Sequence, residues 1–137
     1  MGIKDEFAKF GAIQKNVQWS VSAFNDRDEL VLSLWDHKDY LNFDREQRKY
    51  TYRDNIHRWS GLGRNEMEQN LNLAWQKGAV IRMIVSRLKN LQDMQQVNAG
   101  ADASQFPKMF HAQTQLTGRL IKWDGAEFEL EFVKEAP

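Results

Sequence analysis

The sequence contains no cysteine. That excludes a disulfide scaffold, a thiolate zinc site and a cysteine nucleophile. It fits a reducing compartment, and a cytoplasmic protein is expected. No apolar run approaches the ~20 residues of a membrane-spanning helix, so no membrane is expected among the partners. The first ten residues mix Lys4, Asp5, Glu6 and Lys9 with apolar side chains and lack the apolar block of a signal peptide. Net charge is also missing: 19 Lys and Arg stand against 19 Asp and Glu, whereas a generic electrostatic DNA binder is usually basic. The histidines, His37, His57 and His111, are far apart, and none has a metal-ligand spacing. The G-x-S-x-G, P-loop and H-N-H patterns are absent, and Gly61-Leu62-Gly63 is only a fragment of a glycine-rich loop. No catalytic residue, metal or cofactor is therefore expected, and the chain reads as a binding protein rather than an enzyme.

What is present is aromatic and unevenly charged. Five Trp, eight Phe and three Tyr supply large side chains for a core or a binding surface. The 137 residues suit a single domain, 1–137, without room for a second. Arg45, Arg48, Lys49, Arg53, Arg58 and Arg64 gather in one segment against only Glu46 and Asp54, while Asp124, Glu127, Glu129, Glu131 and Glu135 crowd the C-terminal stretch. One region would attract an anion and another repel it.

Periodicity predicts the elements. Ile3, Phe7 and Phe10 fall near one face of a helix over residues 3–13 that Gly11 would end. Val17, Trp19, Val21 and Ala23 alternate with polar residues as a half-buried strand. After a turn at Asn25-Asp26-Arg27-Asp28, Leu30, Leu32 and Leu34 alternate with Val31, Ser33 and Trp35, so the two strands read as an antiparallel hairpin. Residues 36–58 are polar, aromatic and basic without a clean period. They form a long loop or a pair of short strands. Asn65 and Glu68 read as a capping box for a helix whose stripe is Met67, Leu71, Ala74 and Trp75, closed by Gly78. Trp19 and Trp75 are expected in the core. Ala79 to Val85 is a β-branched strand, residues 89–106 are a loop with some helical turn, and Met109 to Leu120 is a strand. Asp124-Gly125 turns a second hairpin in which Phe128, Leu130 and Phe132 alternate with glutamates. Hairpins outnumber crossovers. The expected class is α+β: a small curled, mostly antiparallel sheet or barrel with flanking helices.

Two tryptophans invite a functional reading. Trp35 lies on the strand face opposite the leucines, and Trp59 precedes a Ser-Gly turn at the edge of the basic segment. Each would stack on a planar base, or both would pack in the core. Separately, Asp36, Asp39 and Asp44 near Lys38 or Lys49 would suit magnesium in a small metal-dependent nuclease.

The run Trp59-Ser60-Gly61-Leu62-Gly63, followed by Asn70, Leu73-Ala74, Lys77-Gly78 and Val80-Ile81-Arg82-Met83, resembles the heart of SRA domains. That family has a Tyr-Thr-Gly turn, a helix with an Asn and a small-apolar pair, a Gly, and a Val-Arg strand. The resemblance covers Leu30 to Arg87. It implies a PUA-like barrel that reads modified cytosine by flipping it from duplex DNA; similar bacterial modules guide modification-dependent restriction. Trp59 stands where the family's turn aromatic stacks on the base, with Ser60 and Gly61 beside it. Ser33-Leu34-Trp35-Asp36 is similar to the upstream segment whose aromatic covers the other base face. Asp36 or Asp39 would accept from the cytosine amino group. The upstream glycines are absent here, both aromatics are Trp, and the segment between them is longer than usual in the family.

The expectation is thus a nucleic-acid-binding module, for DNA on the resemblance. Trp35, Trp59, Asp36, Asp39, Ser60 and Gly61 would hold a flipped base. Arg48, Lys49, Arg53, Arg58 and Arg64 would hold phosphates. A separate effector protein would act on the reading in a restriction or defence system. The alternatives are a protein-interaction module, such as a phage or host-defence accessory or inhibitor protein, and the small nuclease.

Overall fold

The computed structural model describes residues 2–98 and 107–135. It is an α+β fold in which eight strands form one sheet. The chain opens with α1 (Ile3–Ala8), β1 (Ser22–Phe24) and β2 (Leu30–Trp35). β3 (Leu41–Asp44), β4 (Lys49–Asn55), a 3-10 turn (Ile56–Arg58) and α2 (Gly61–Lys77) follow. β5 (Val80–Leu88), α3 (Leu91–Asn98), β6 (Lys108–Ala112), β7 (Leu116–Trp123) and β8 (Glu127–Lys134) complete it. The sheet order is β1-β2-β5-β7-β8-β4-β3, with β6 also pairing β5. Among the described residues only β2–β5 is parallel. The mostly antiparallel expectation holds. The sheet is open rather than a closed barrel, since β1 and β3 end it without pairing each other.

The two faces of the sheet differ. Leu30, Leu32 and Leu34 of β2, Ile81, Met83 and Val85 of β5, and Phe128, Leu130 and Phe132 of β8 form one buried cluster with Met67, Leu71 and Ala74 of α2. The opposite face carries a smaller cluster, Val31 and Ile84 beneath Phe7 and Phe10 of the α1 segment. Strand alternation explains the division: neighbouring residues of β2 serve different cores. Beyond α1, the second face is open to water along β7, β8 and β4.

Several expectations need correction. The first helix stops at Ala8; a turn carries the chain to Gly11. Residues 17–21 are not a strand. The Asn16 carbonyl accepts from the Trp19 and Ser20 amides, and the Asn16 side chain accepts from the Gln18 amide. This local side-chain and backbone turn outcompetes the ladder that alternation favoured. Trp19 is half-buried, with its carbonyl against α2. Residues 36–58 are the pair of short strands, hinged at Asp44, whose side chain accepts from the Glu46 and Gln47 amides. The predicted strand 109–120 is two strands, β6 and β7, laid along the same edge of β5. Within residues 89–106, read as a loop with some helical turn, 91–98 are helical as that reading allowed, and 99–106 lie outside the described residues.

α2 begins at Gly61, with Ser60 at the N-cap position, not at Asn65. Gly61 turns at φ +68, a conformation open to glycine. At Gly63 an added Cβ would stand 2.5 Å from the Trp19 carbonyl oxygen. This approach seats the 63–67–71–74 stripe on the sheet and leaves Trp75 at its flank, 48% exposed. The expectation of a core Trp75 therefore fails. Gly78 closes the helix in the left-handed conformation as predicted.

Candidate functional site

β4 sends Tyr50, Tyr52 and Asp54 to the α2 side of the sheet and Lys49, Thr51 and Arg53 to the other. Tyr52 is fully buried against Phe128, with ring centroids 6.0 Å apart. Its hydroxyl donates to Asp54 Oδ2 at 2.6 Å and accepts from the Trp35 amide at 3.4 Å. The Asp54 side chain is 0% exposed. Its Oδ1 accepts from the Asn55 amide at 2.8 Å and lies 2.7 Å from Arg58 Nε. Asn55 caps the following 3-10 turn through the His57 amide, and that turn aims Arg58 back at Asp54. The Arg58 guanidinium also lies 3.9 Å from the centroid of the Tyr40 ring. One arginine is thus paired with a buried carboxylate and set over a phenol ring.

Burial pushes the Asp54 carboxyl above its ordinary value; the Tyr52 hydroxyl, the Asn55 amide and Arg58 pull it back only in part. Burial pushes the Tyr52 phenol well above 10.0, and the Asp54 charge adds to the effect. Both directions describe a polar group shielded from water and dependent on its neighbours.

A shallow, open hollow of about 350 Å³ lies here at the end of the β4–β8 pair, where the β7–β8 hairpin turns. Asp39, Tyr40, Arg58, Asn55 and Phe128 line it, with Arg53, Lys122, Glu127 and Glu129 at its wall and rim.

The predicted site residues divide. Asp39, Arg53 and Arg58 come together at this hollow. Trp59 lies behind it, 6.0 Å from Phe128 between ring centroids, half-buried against the α2-side core. Trp35 leaves β2 on the opposite face by alternation, so the two indoles are not brought together. Asp36 pairs with Arg87. Ser60 and Gly61 form the exposed start of α2. Arg48 sits in the β3–β4 turn at φ +54, and Arg64 is half-buried on α2. The three aspartates of the nuclease reading do not converge. Asp36 holds Arg87, Asp39 faces His37 at 3.5 Å, and Asp44 caps its own turn. Among the described residues no group of three or more His, Cys, Asp or Glu could hold a metal.

The basic segment is not a free cationic surface. Lys49 bonds Glu131 at 2.9 Å, Arg53 meets Glu129 at 3.5 Å, and Arg58 holds Asp54. On the other side of β8, Lys122 meets Glu127 at 3.3 Å. β8 is thus an acidic column between two strands that carry cations.

Tyr40, Tyr52, Asp54, Asn55 and Phe128 were not among the predicted site residues. The alternation Tyr50-x-Tyr52-x-Asp54 was the available signal for a strand that carries an aspartate inward. No protein-family model, curated protein or solved structure matches this chain.

Proposed function

We propose that the chain is a non-catalytic reader of a single nucleobase, bound in the hollow beside Arg58. The SRA resemblance implies the same class of activity on a PUA-like frame, with DNA as the nucleic acid and a separate effector protein to act on the reading. The observation that carries the proposal is the clamped Arg58. It is paired with Asp54 and set over Tyr40, and its open face is a plane on which a base stacks. Asp39 accepts from an exocyclic amino group, which favours cytosine or adenine over thymine. Asp54 already takes three donors and acts through Arg58 as a positioning residue. The paired cations mean that affinity comes from the base more than from the phosphates.

The test is a binding panel of plain and modified duplexes, single strands and free nucleosides. Binding of a base-bearing ligand that weakens about tenfold or more in Arg58→Lys, with unchanged melting, supports the reading. Failure of every base-bearing ligand overturns it.

A second reading, a protein-interaction module, is favoured by Trp75. It is 48% exposed and borders a hollow of about 150 Å³ with Arg119 and Leu120. Trp and Arg dominate protein–protein hot spots.

A further inference from the structure

β7 outruns its neighbour. β5 begins at Val80, opposite Arg119. From Leu120 onward β7 has β8 on one side and no strand on the other among the described residues. The Glu135 amide donates to the Gln115 carbonyl at 2.8 Å, so Gln115 turns its backbone toward β8. Orientation alternates along an antiparallel ladder, and Leu116, Gly118 and Leu120 turn the other way. The β5 side agrees. The Gln113 amide donates to the Met83 carbonyl at 2.9 Å, so Met83 faces β6 and β7. Ile81, two residues earlier, does the same and pairs with Gly118. Leu120 comes next in that phase, and its N–H and C=O would meet Ala79. There the chain has already left the sheet: the Ala79 amide donates to the Ala74 carbonyl of α2 at 3.0 Å. Nothing else among the described residues takes its place at Leu120.

These unpaired groups adjoin the hollow of about 150 Å³ beside Trp75. Ala74, Ala79, Leu120 and the 48%-exposed Trp75 give it an apolar lining with room for one side chain. Arg119 is its charged member. It donates to the Gly78 carbonyl at 3.3 Å, which sets a cation over the negative end of α2. Unlike Lys49, Arg53, Arg58 and Lys122, Arg119 meets no carboxylate among the described residues.

We infer that this hollow takes the C-terminus of a partner protein: an extended tail with an apolar last residue and a free terminal carboxylate, added to the open edge of β7. The inference is independent of the base-reading proposal and rests on the protein-interaction reading of Trp75, whose ligand it names. The tail runs in line with β5 and antiparallel to β7, so its end arrives at Leu120. The amide of its last residue donates to the Leu120 carbonyl, and one carboxylate oxygen accepts from the Leu120 amide. Residues directly opposite share a face, so the last side chain enters the hollow beside Leu120 and Trp75. The other carboxylate oxygen takes N–H groups that Arg119 has left. A chain end is selected over an internal segment because β5 fills the same line from Val80 onward.

Amide NMR spectra of the isotope-labelled full chain test this. The probe is a pool of N-acetylated pentapeptides ending in Val, Leu or Ile, with random residues before, added up to about 1 mM, the affinity range of a short strand addition. The free-acid pool shifts the Leu120 amide and the Trp75 indole N–H. The same pool as C-terminal amides binds at least about tenfold more weakly. Arg119→Gln, which keeps a donor for Gly78, and Trp75→Ala each weaken the free-acid pool to a similar degree, with unchanged melting. A free-acid pool that leaves Leu120 unmoved overturns the inference. Equal binding of acids and amides at Leu120 overturns it too, yet leaves Trp75 on a protein-interaction surface, so the two failures are told apart. The acid and amide pools are compared on the wild-type chain, so the test decides even where a variant fails to fold.

Discussion

Asp54 carries its charge inside the end of the sheet because three donors converge on it: the Tyr52 hydroxyl, the Asn55 amide and Arg58 Nε. Burial nevertheless leaves its carboxyl above the ordinary 3.8. A carboxyl that binds its proton more tightly when folded contributes stability below the unfolded value and loses it as pH rises through the folded value. Glu6 has the opposite sign. Burial pushes it up, but the Ala112 amide and Lys9 outweigh that and hold it below 4.5, so its contribution is lost as pH falls. Asp54→Asn removes the opposing group, and stability should then rise more steeply than in the wild type as pH climbs above the ordinary carboxylate value. Urea midpoints across that range check this; a gap between variant and wild type that is constant with pH rejects it. Glu6→Ala leaves the part-buried Ala112 amide without its acceptor and should cost about 1 kcal/mol at pH 7, read from the same unfolding curves. Neither residue stood out in the sequence. Arg53-Asp54-Asn55 looks like polar loop, and the inward turn of Asp54 follows only from β4 being a strand between β3 and β8.

At the scale of the element, long strong periods were legible and short ones were not. The Phe128, Leu130, Phe132 alternation gave β8 its buried face, and Met67, Leu71 and Ala74 gave α2 its stripe. The alternation of 17–21 misled because Asn16 closes a turn with its own side chain. Trp75 misled because an N-cap placed at Asn65, five residues past the actual cap at Ser60, leaves Gly63 out of the stripe, and Gly63 marks where the helix touches the Trp19 carbonyl. This difference is measurable. Leu71→Ala should cost roughly 2–5 kcal/mol, whereas Trp75→Ala should cost about 1 kcal/mol or less, as a flank residue. Trp59→Ala should fall between, at about 2 kcal/mol, because half-burial against Phe128 loses only part of a full indole contact. Thermal melting of the three variants gives the order; Trp75→Ala as costly as Leu71→Ala would return that indole to the core.

At the scale of the whole molecule, the order of the sheet decides where the chain's 19 basic and 19 acidic side chains meet. The basic segment and the acidic C-terminal stretch read as separate regions in sequence. The sheet order β7-β8-β4 makes them adjacent strands, and Lys49 meets Glu131 across 82 positions. Only the topology reveals this, because local composition carries no information about which strands become neighbours. The consequence is a specific salt dependence. Five free phosphate contacts from Arg48, Lys49, Arg53, Arg58 and Arg64 would give a slope of log affinity against log salt near −4. With Lys49, Arg53 and Arg58 held by carboxylates, the slope should be shallower than about −2. Removing the opposing acids reverses the effect. Glu129→Gln with Glu131→Gln releases Arg53 and Lys49 and should steepen the slope by roughly one unit per cation, while raising affinity at low salt. Fluorescence titration of wild type and this double variant with one oligonucleotide, between about 50 and 200 mM salt, measures both quantities. A wild-type slope already near −4, or a double variant with an unchanged slope, would mean that the charge ladder does not govern how this surface meets a polyanion.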